Sequence, residues 1–360
     1  MLSAKASEEY IPMNTPYSTP LEASASDPLV TIAIPTFNRA SWLRDCISAA
    51  LAQSYQRFEV LVSDNASTDA TSEVLSGISE RRLRILTQES NIGQIPNWNA
   101  CLAEAKGDYV VFVSDDDRIE PSLLEQCIAL VKCEPQVQVV VALSDVYFAA
   151  EARTWHTPQS RKLATGIWDG ADVLKEYLEE RISAPMCTIM INTEALRGQG
   201  GFPVDFPFAG DTIGWVSLVL NGRAGLVNQS CGTVCVHAAN ETSRLDLQTR
   251  LSCLRKLVDF ILDRTDRSIA NTQRRQDIQV AAKRYFARYA LVVLASYRRE
   301  GGRLTKVVPV MWQLRRYLRH IGLSDIAKIA KPLAIIVLPI SLTRRAPDVT
   351  RMRRRTKLNC

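Results

Sequence analysis

The sequence predicts an α/β protein with a mostly parallel sheet flanked by helices. Three observations carry that expectation. Short apolar runs rich in β-branched residues alternate with segments of helical periodicity through the first half of the chain. The runs at 30–34 (VTIAI), 58–62 (FEVLV) and 109–114 (YVVFVS) are nearly continuously apolar, as strands buried on both faces are. All three end in polar clusters: Asn38 and Arg39, Asp64 and Asn65, and Asp115, Asp116 and Asp117. The carboxyl ends of strands in an open α/β sheet face one crevice, where ligands bind.

Taken in order, the first strand closes at Pro35-Thr36-Phe37-Asn38-Arg39 and leads to a helix over about 41–52, with Leu43, Ile47, Ala50 and Leu51 at helical spacing. The second strand ends in the capping-rich Ser63–Asp69 turn before a helix over 70–78. A short strand at 83–86, the turn Asn91-Ile92-Gly93 and a helix over 95–105 with Pro96 in its first turn follow. After the 109–114 strand come a helix over 122–132 and a strand over 137–143. Residues 151–165 are polar and read as a mobile loop. A helix over 169–179, a strand over 187–191, the Gly198–Pro203 turn, a helix over 212–220 and a weakly alternating strand over 225–236 complete this part. Beyond Leu245 the pattern is helical, with Leu251, Leu254, Leu257, Val258 and Ile261 on one stripe. The expected organisation is therefore a disordered leader at 1–28, an α/β domain at 29–244, a helical region at 245–343 and a basic tail at 344–360.

Composition excludes wholesale disorder: 46% of the 360 residues are hydrophobic and 23% charged. Much of the net charge of +6 sits in the tail, where Arg344, Arg345, Arg351, Arg353, Arg354, Arg355 and Lys357 face the single acid Asp348. The nine cysteines form no CxxC pair, which fits a reducing cytoplasm better than a disulfide framework or a zinc module. The first 28 residues have no apolar signal core, and no apolar run reaches the roughly 20 residues that span a bilayer. The expected location is cytoplasmic, with peripheral contact at the inner face of the cytoplasmic membrane through the C-terminal region. In that region Trp312, Arg315, Arg316 and Arg319 share a helix face opposite Leu314, Leu318 and Ile321. The apolar 333–342 segment and the Arg-rich tail suit either an anionic membrane interface or a bundle with a solvated tail. Nucleic acid is not an expected partner, because one basic run without interleaved aromatics is a thin footprint.

Three adjacent carboxylates repel one another, so the triplet at 115–117 asks for a compensating charge. Hard oxygen ligands grouped in this way suit Mg²⁺ or Mn²⁺ carrying a substrate diphosphate. The other reading is a polar helix start, with Pro121 just beyond. Asp64 offers two acceptors to the edge of a pyrimidine, or it caps the next helix together with Ser67. Asp211 precedes an apolar helix and reads as its cap.

The segments IPTFNRASWLRDCI, SDNASTD, NIGQIPNWN, KGDYVVFVSDDD and GGFPVDFPFAGD, in this order and spacing, resemble the family 2 glycosyltransferases, from about Val30 to Ser243. The resemblance implies a GT-A fold, a Rossmann-like nucleotide-diphospho-sugar transferase domain. It also implies inverting, metal-dependent transfer from a nucleotide-diphosphate sugar to a saccharide or lipid-linked saccharide acceptor in cell-surface polysaccharide or glycolipid synthesis. On this resemblance Pro35, Thr36, Asn38, Arg39, Asp64, Asn65, Asn91, Gly93 and Asn97 contact the donor nucleotide. Asp115 and Asp116 meet ribose and metal, Asp117 is the principal ligand of Mg²⁺ or Mn²⁺, and His237 lies near the metal. Asp211 falls at the catalytic carboxylate, although Gly210 stands where the family usually has a second acid; Asp205 is the alternative base. Two rivals are a sugar-phosphate nucleotidyltransferase, whose first strand leads into a glycine-rich loop rather than PTFNR, and a non-catalytic nucleotide-sugar-binding module.

Overall fold

A computed structural model of the chain describes residues 27–238, 240, 244–322 and 325–337. Most of the leader, Ser243 and the 344–360 tail lie outside the described residues. The chain divides into two compact units, Met1–Ala238 and Ala239–Cys360.

The first unit is built on β1 (Val30–Thr36), β2 (Phe58–Asp64), β3 (Leu83–Thr87) and β4 (Tyr109–Phe112), with helices α1 (Ala40–Leu51), α2 (Thr71–Ser76) and α3 (Gln94–Glu104) between them. Then come β5 (Arg118–Ile119), α4 (Leu123–Cys133), β6 (Val139–Phe148), β7 (Arg153–Trp155), β8 (Gly166–Asp169), α5 (Gly170–Leu178), β9 (Ile189–Asn192), α6 (Thr193–Gly198), α7 (Gly210–Val219) and β10 (Arg223–Val236). One ten-stranded sheet runs β3-β2-β1-β4-β9-β6-β10-β5, with β7 beside β6 and β8 beside β10. The first four strands are parallel, β9 is antiparallel to both its neighbours, and β6 and β10 are parallel. The expected mostly parallel α/β sheet is what forms.

Burial explains the strands. Every residue of β2 and β4 is buried, and β1 is buried except at Pro35. Both faces of the sheet are covered, so no alternation is needed. Chain order reverses at β1, which has β2 on one side and β4 on the other. The carboxyl ends of β1 and β4 therefore flank a topological switch point, where such sheets open a crevice. At the opposite end, Glu59 accepts from Thr31 Oγ1, Lys106 N and Arg84. Gly107 fits there because a Cβ would stand 2.4 Å from Thr31 N.

Several short elements escaped the periodicity reading. The 151–165 segment contains β7, which pairs antiparallel with β6 and makes part of that segment a hairpin arm rather than a loop. Neither β5, β8 nor α6 was expected, because elements of two to six residues carry too little pattern. Their position comes from partners: β5 and β8 exist by pairing with β10.

The second unit is helical: α8 (Leu247–Ser268), α9 (Thr272–Arg299), α10 (Leu304–Leu318) and α11 (Ile326–Val337). Asp246 caps α8, accepting from Gln248 N and Thr249 N. Cys253, Leu254, Leu257, Val258 and Ile261 form its buried face. Helix α9 packs against the other three, and its Arg288 is buried in an ion pair with Asp325 at 2.7 Å. The described part of the 333–342 segment is the end of α11, with Ile336 buried. Among the described residues no helix is long and apolar enough to cross a membrane.

Candidate active site

Register sets the first half of the site. Thr36 at the end of β1 stands opposite Asp64 at the end of β2, and Thr36 Oγ1 donates to Asp115 Oδ2 at 2.7 Å. Arg39 Nε lies 4.0 Å from Asp115 Oδ1. The polar ends of three strands thus meet at the switch point. Asn38 adopts a left-handed backbone (φ 55°), and its side chain accepts from Thr68 N at 2.7 Å, so the loops after β1 and β2 are tied together.

Asp64 is buried, and its Oδ1 accepts from Ser67 N at 3.0 Å. Among the described residues its other oxygen has no hydrogen-bond partner. That bond closes a turn and does not cap a helix, because α2 begins only at Thr71 with Ala70 at its N-cap and no side-chain cap bond; the capping expectation fails and a spare acceptor remains. Asn65 is a staple: its Nδ2 donates to Asn91 Oδ1 at 3.0 Å and Gly93 O at 3.3 Å, and its Oδ1 accepts from Ile92 N at 2.9 Å. Gly93 takes φ 92°, which only glycine adopts without strain. Asn97 differs from the expectation. It is buried, receives Ser63 Oγ at 2.6 Å and donates to Ser63 O at 3.0 Å, so its amide is turned to the sheet rather than the crevice. The helical period puts it on the packed face of α3.

The triplet separates into three environments. Asp115 faces Thr36; burial, reinforced by the charge of Asp116, pushes its carboxyl up to about 7. Asp117 turns inward, where its Oδ1 accepts from Cys235 N at 3.0 Å and the Cys187 thiol hydrogen-bonds it too. Burial raises its pKa well above the usual range. The pairing of β5 with β10 causes this, because it lays residues 232–236 alongside the triplet. Asp117 is thereby set in a structural position, and removing its side chain would orphan a buried N–H. Asp116 meets His237, with Oδ2 to Nε2 at 2.9 Å, and each side chain is 8% exposed. Trp42 of α1 lies over the imidazole, ring centroids 4.2 Å apart. Among the described residues no group of three or more His, Cys, Asp or Glu has a metal-holding arrangement. The Asp116–His237 pair still suits a Mg²⁺- or Mn²⁺-type ion, since such ions are commonly held by one or two protein ligands and completed by substrate phosphates.

Asp211 is half-buried in the first turn of α7. A helix N-terminus alone would depress its pKa. Burial wins: its carboxyl is raised, against opposing hydrogen bonds from the Thr212 and Asp211 backbone. A side chain at Gly210 would meet Ile95 at 3.6 Å, which places this turn against the start of α3, beside the Gly93 loop. Asn99 fixes the turn before it, donating to Phe202 O and accepting from Phe202 N, both at 2.8 Å. Phe202 in turn packs edge-on against Phe112 and Trp98. Asp205 is exposed. Trp42 and Cys187 were not expected at the site. A tryptophan on the polar border of an amphipathic helix was the one available hint for Trp42, and nothing in the sequence marks Cys187.

A mixed sheet with its polar strand ends at a switch point, an acidic cluster on the next strand and a carboxylate at a late helix start have the arrangement of a GT-A-like fold. A family model, Glycosyl transferase family 2, matches residues 31–195 of this chain. Chondroitin synthase of Pasteurella multocida is 36% identical over 28% of this chain and 11% of its own length. The chain spans less than half the length of the named curated glycosyltransferases it matches. Two solved structures share the fold. S. aureus TarS in complex with UDP-GlcNAc has a TM-score of 0.59 at 17% identity, covering 84% of this chain and 90% of that one. The mannosyltransferase PcManGT from Pyrobaculum calidifontis, in complex with GDP-Man and Mn²⁺, has a TM-score of 0.54 at 19% identity, covering 87% of each chain.

Proposed function

We propose that this chain transfers a sugar from a nucleotide-diphosphate sugar to a saccharide or lipid-linked saccharide hydroxyl, with inversion and with a divalent ion, in cell-surface polysaccharide or glycolipid synthesis. The observation that carries the reading is the meeting of Thr36, Arg39, Asp64 and Asp115 at the switch point, with the Asp116–His237 pair beside them. Relatives named for polysaccharide synthesis and structural neighbours holding nucleotide sugars support it.

In this reading Asp64 presents its spare oxygen to the nucleobase. The Asn65–Asn91–Gly93 staple shapes the wall beside it, and Arg39 lies toward the anionic part of the donor. Asp116 and His237 would hold the ion, and Asp115 lies next to them; Asp117 fixes the loop rather than serving as principal ligand. A bound divalent ion would supply Lewis-acid stabilisation of the charge on the departing diphosphate. Asp211 is the base: its raised pKa makes it a better proton acceptor than an exposed carboxylate, and inversion needs such a group opposite the leaving diphosphate. The test is a melting-temperature screen of UDP- and GDP-sugars with and without Mn²⁺, followed by transfer assays. A ligand that binds the native state raises its melting temperature. A metal-dependent rise with one donor, lost in Asp116→Ala, is expected. No stabilisation by any nucleotide sugar, or full transfer activity in EDTA, would overturn the donor or the metal part respectively.

A further inference from the structure

We propose that α10 is a membrane-docking surface: the stripe Leu304–Val308–Trp312 enters an anionic lipid interface while the basic residues around it meet the headgroups. The opposite face of the helix already has its partners. Val307 is 1% exposed and Leu314 2%, and Tyr317 packs edge-on against Phe286 at 4.6 Å. The stripe has no such role, with Leu304 46%, Val308 63% and Trp312 67% exposed. Spacing of four residues puts the three on one line along the helix. Isolated exposed apolar residues are ordinary, but three aligned on one helix face form a patch of the kind that marks an interaction surface.

Charge selects the occupant. From Arg303 to Val337 the basic residues are Arg303, Lys306, Arg315, Arg316, Arg319, Lys328 and Lys331. The only acid there, Asp325, is buried in its ion pair with Arg288. A second copy of this chain would bring the same cations against these, and a nucleic acid would leave the apolar stripe unused. An anionic bilayer satisfies both features: apolar side chains enter the acyl boundary and Lys or Arg stay among the phosphates. The Arg315 guanidinium lies over the Trp312 ring, 4.0 Å from its centroid. That pairs a cation with the aromatic type that favours the headgroup level. The helix would lie on the membrane rather than span it, which agrees with its 15 residues. This surface is independent of the donor site, so its test reads binding and not transfer.

Full-length protein is sedimented with vesicles of phosphatidylcholine alone and of equal parts phosphatidylglycerol and phosphatidylcholine. Wild type should sediment with the anionic vesicles, less so as salt rises, and hardly with the neutral ones. Val308→Ser with Trp312→Ser should weaken binding about tenfold or more, by removing buried apolar area. Arg315→Gln, Arg316→Gln and Arg319→Gln together should weaken it about a hundredfold. All five positions are exposed, so circular dichroism and melting temperature should stay at wild-type values. The Arg-rich tail remains in every variant. Binding that survives the stripe substitutions, equal binding to neutral vesicles, or a self-association abolished by Trp312→Ser would overturn the proposal.

Discussion

Replacing Asp115 by Asn tests how the crevice holds its charge. The native carboxyl is 8% exposed, and its pKa stands at about 7 against an ordinary 3.8. Burial is the chief cause and the Asp116 charge adds to it, while Thr36 and Arg39 oppose. A native pKa above the unfolded one means that the folded state holds the proton more tightly. The carboxyl then costs nothing below about pH 4 and destabilises progressively as pH rises toward 7. The rise from 3.8 to about 7, at 1.36 kcal/mol for each tenfold change in proton affinity, sets a ceiling of about 4 kcal/mol above pH 7. Asn keeps the shape and an acceptor for Thr36 but cannot ionise. In urea titrations with a chelator, the variant should match wild type at pH 4 within about 1 kcal/mol and exceed it by about 2–4 kcal/mol at pH 8. Added Mn²⁺ should narrow the gap by stabilising wild type. Parallel stability curves from pH 4 to pH 8, or a variant weaker at pH 8, would refute this account of the crevice.

Asp211→Asn should lose at least about a hundredfold in transfer rate while binding donor and Mn²⁺ as wild type does, and Asp205→Asn should cost much less. Because burial raises the Asp211 carboxyl, the acid limb of the wild-type pH–rate profile should lie above the ordinary carboxylate range; the reverse ranking of the two mutants would place the base on Asp205. Gly170→Ala should destabilise by about 3 kcal/mol or more, since its Cβ would stand 1.8 Å from Val219 O, a backbone atom that cannot step aside. A melting temperature equal to wild type would show that α5 and α7 have more freedom than this packing allows.

Much of the crevice was legible in the chain itself. Strands buried on both faces announce themselves as apolar runs, and parallel order carries their polar ends to one edge, so Thr36, Asp64 and Asp115 fall together by topology alone. The long helices of the second unit follow from the 3.6-residue period in the same way. Direction within a cluster was not legible. Three adjacent aspartates look alike in sequence, yet one faces a hydroxyl, one an imidazole and one a backbone N–H.

That division was made by β10, whose last residues, held along β6, lie beside the triplet where two residues of β5 pair with it across more than a hundred positions. Asn97 repeats the lesson, since its chemistry suits a ligand but its place on α3 turns it to Ser63. The elevated carboxyl of Asp211 belongs here too, because a helix N-terminus is readable in sequence and burial is not. Sequence by itself determined the long buried strands, the crevice at their carboxyl ends and the kinds of residue that line it, since local periodicity is a property of neighbouring positions. Only the tertiary structure decided which carboxylate faces which partner, because hydrogen bonding and desolvation depend on chain segments that meet after folding.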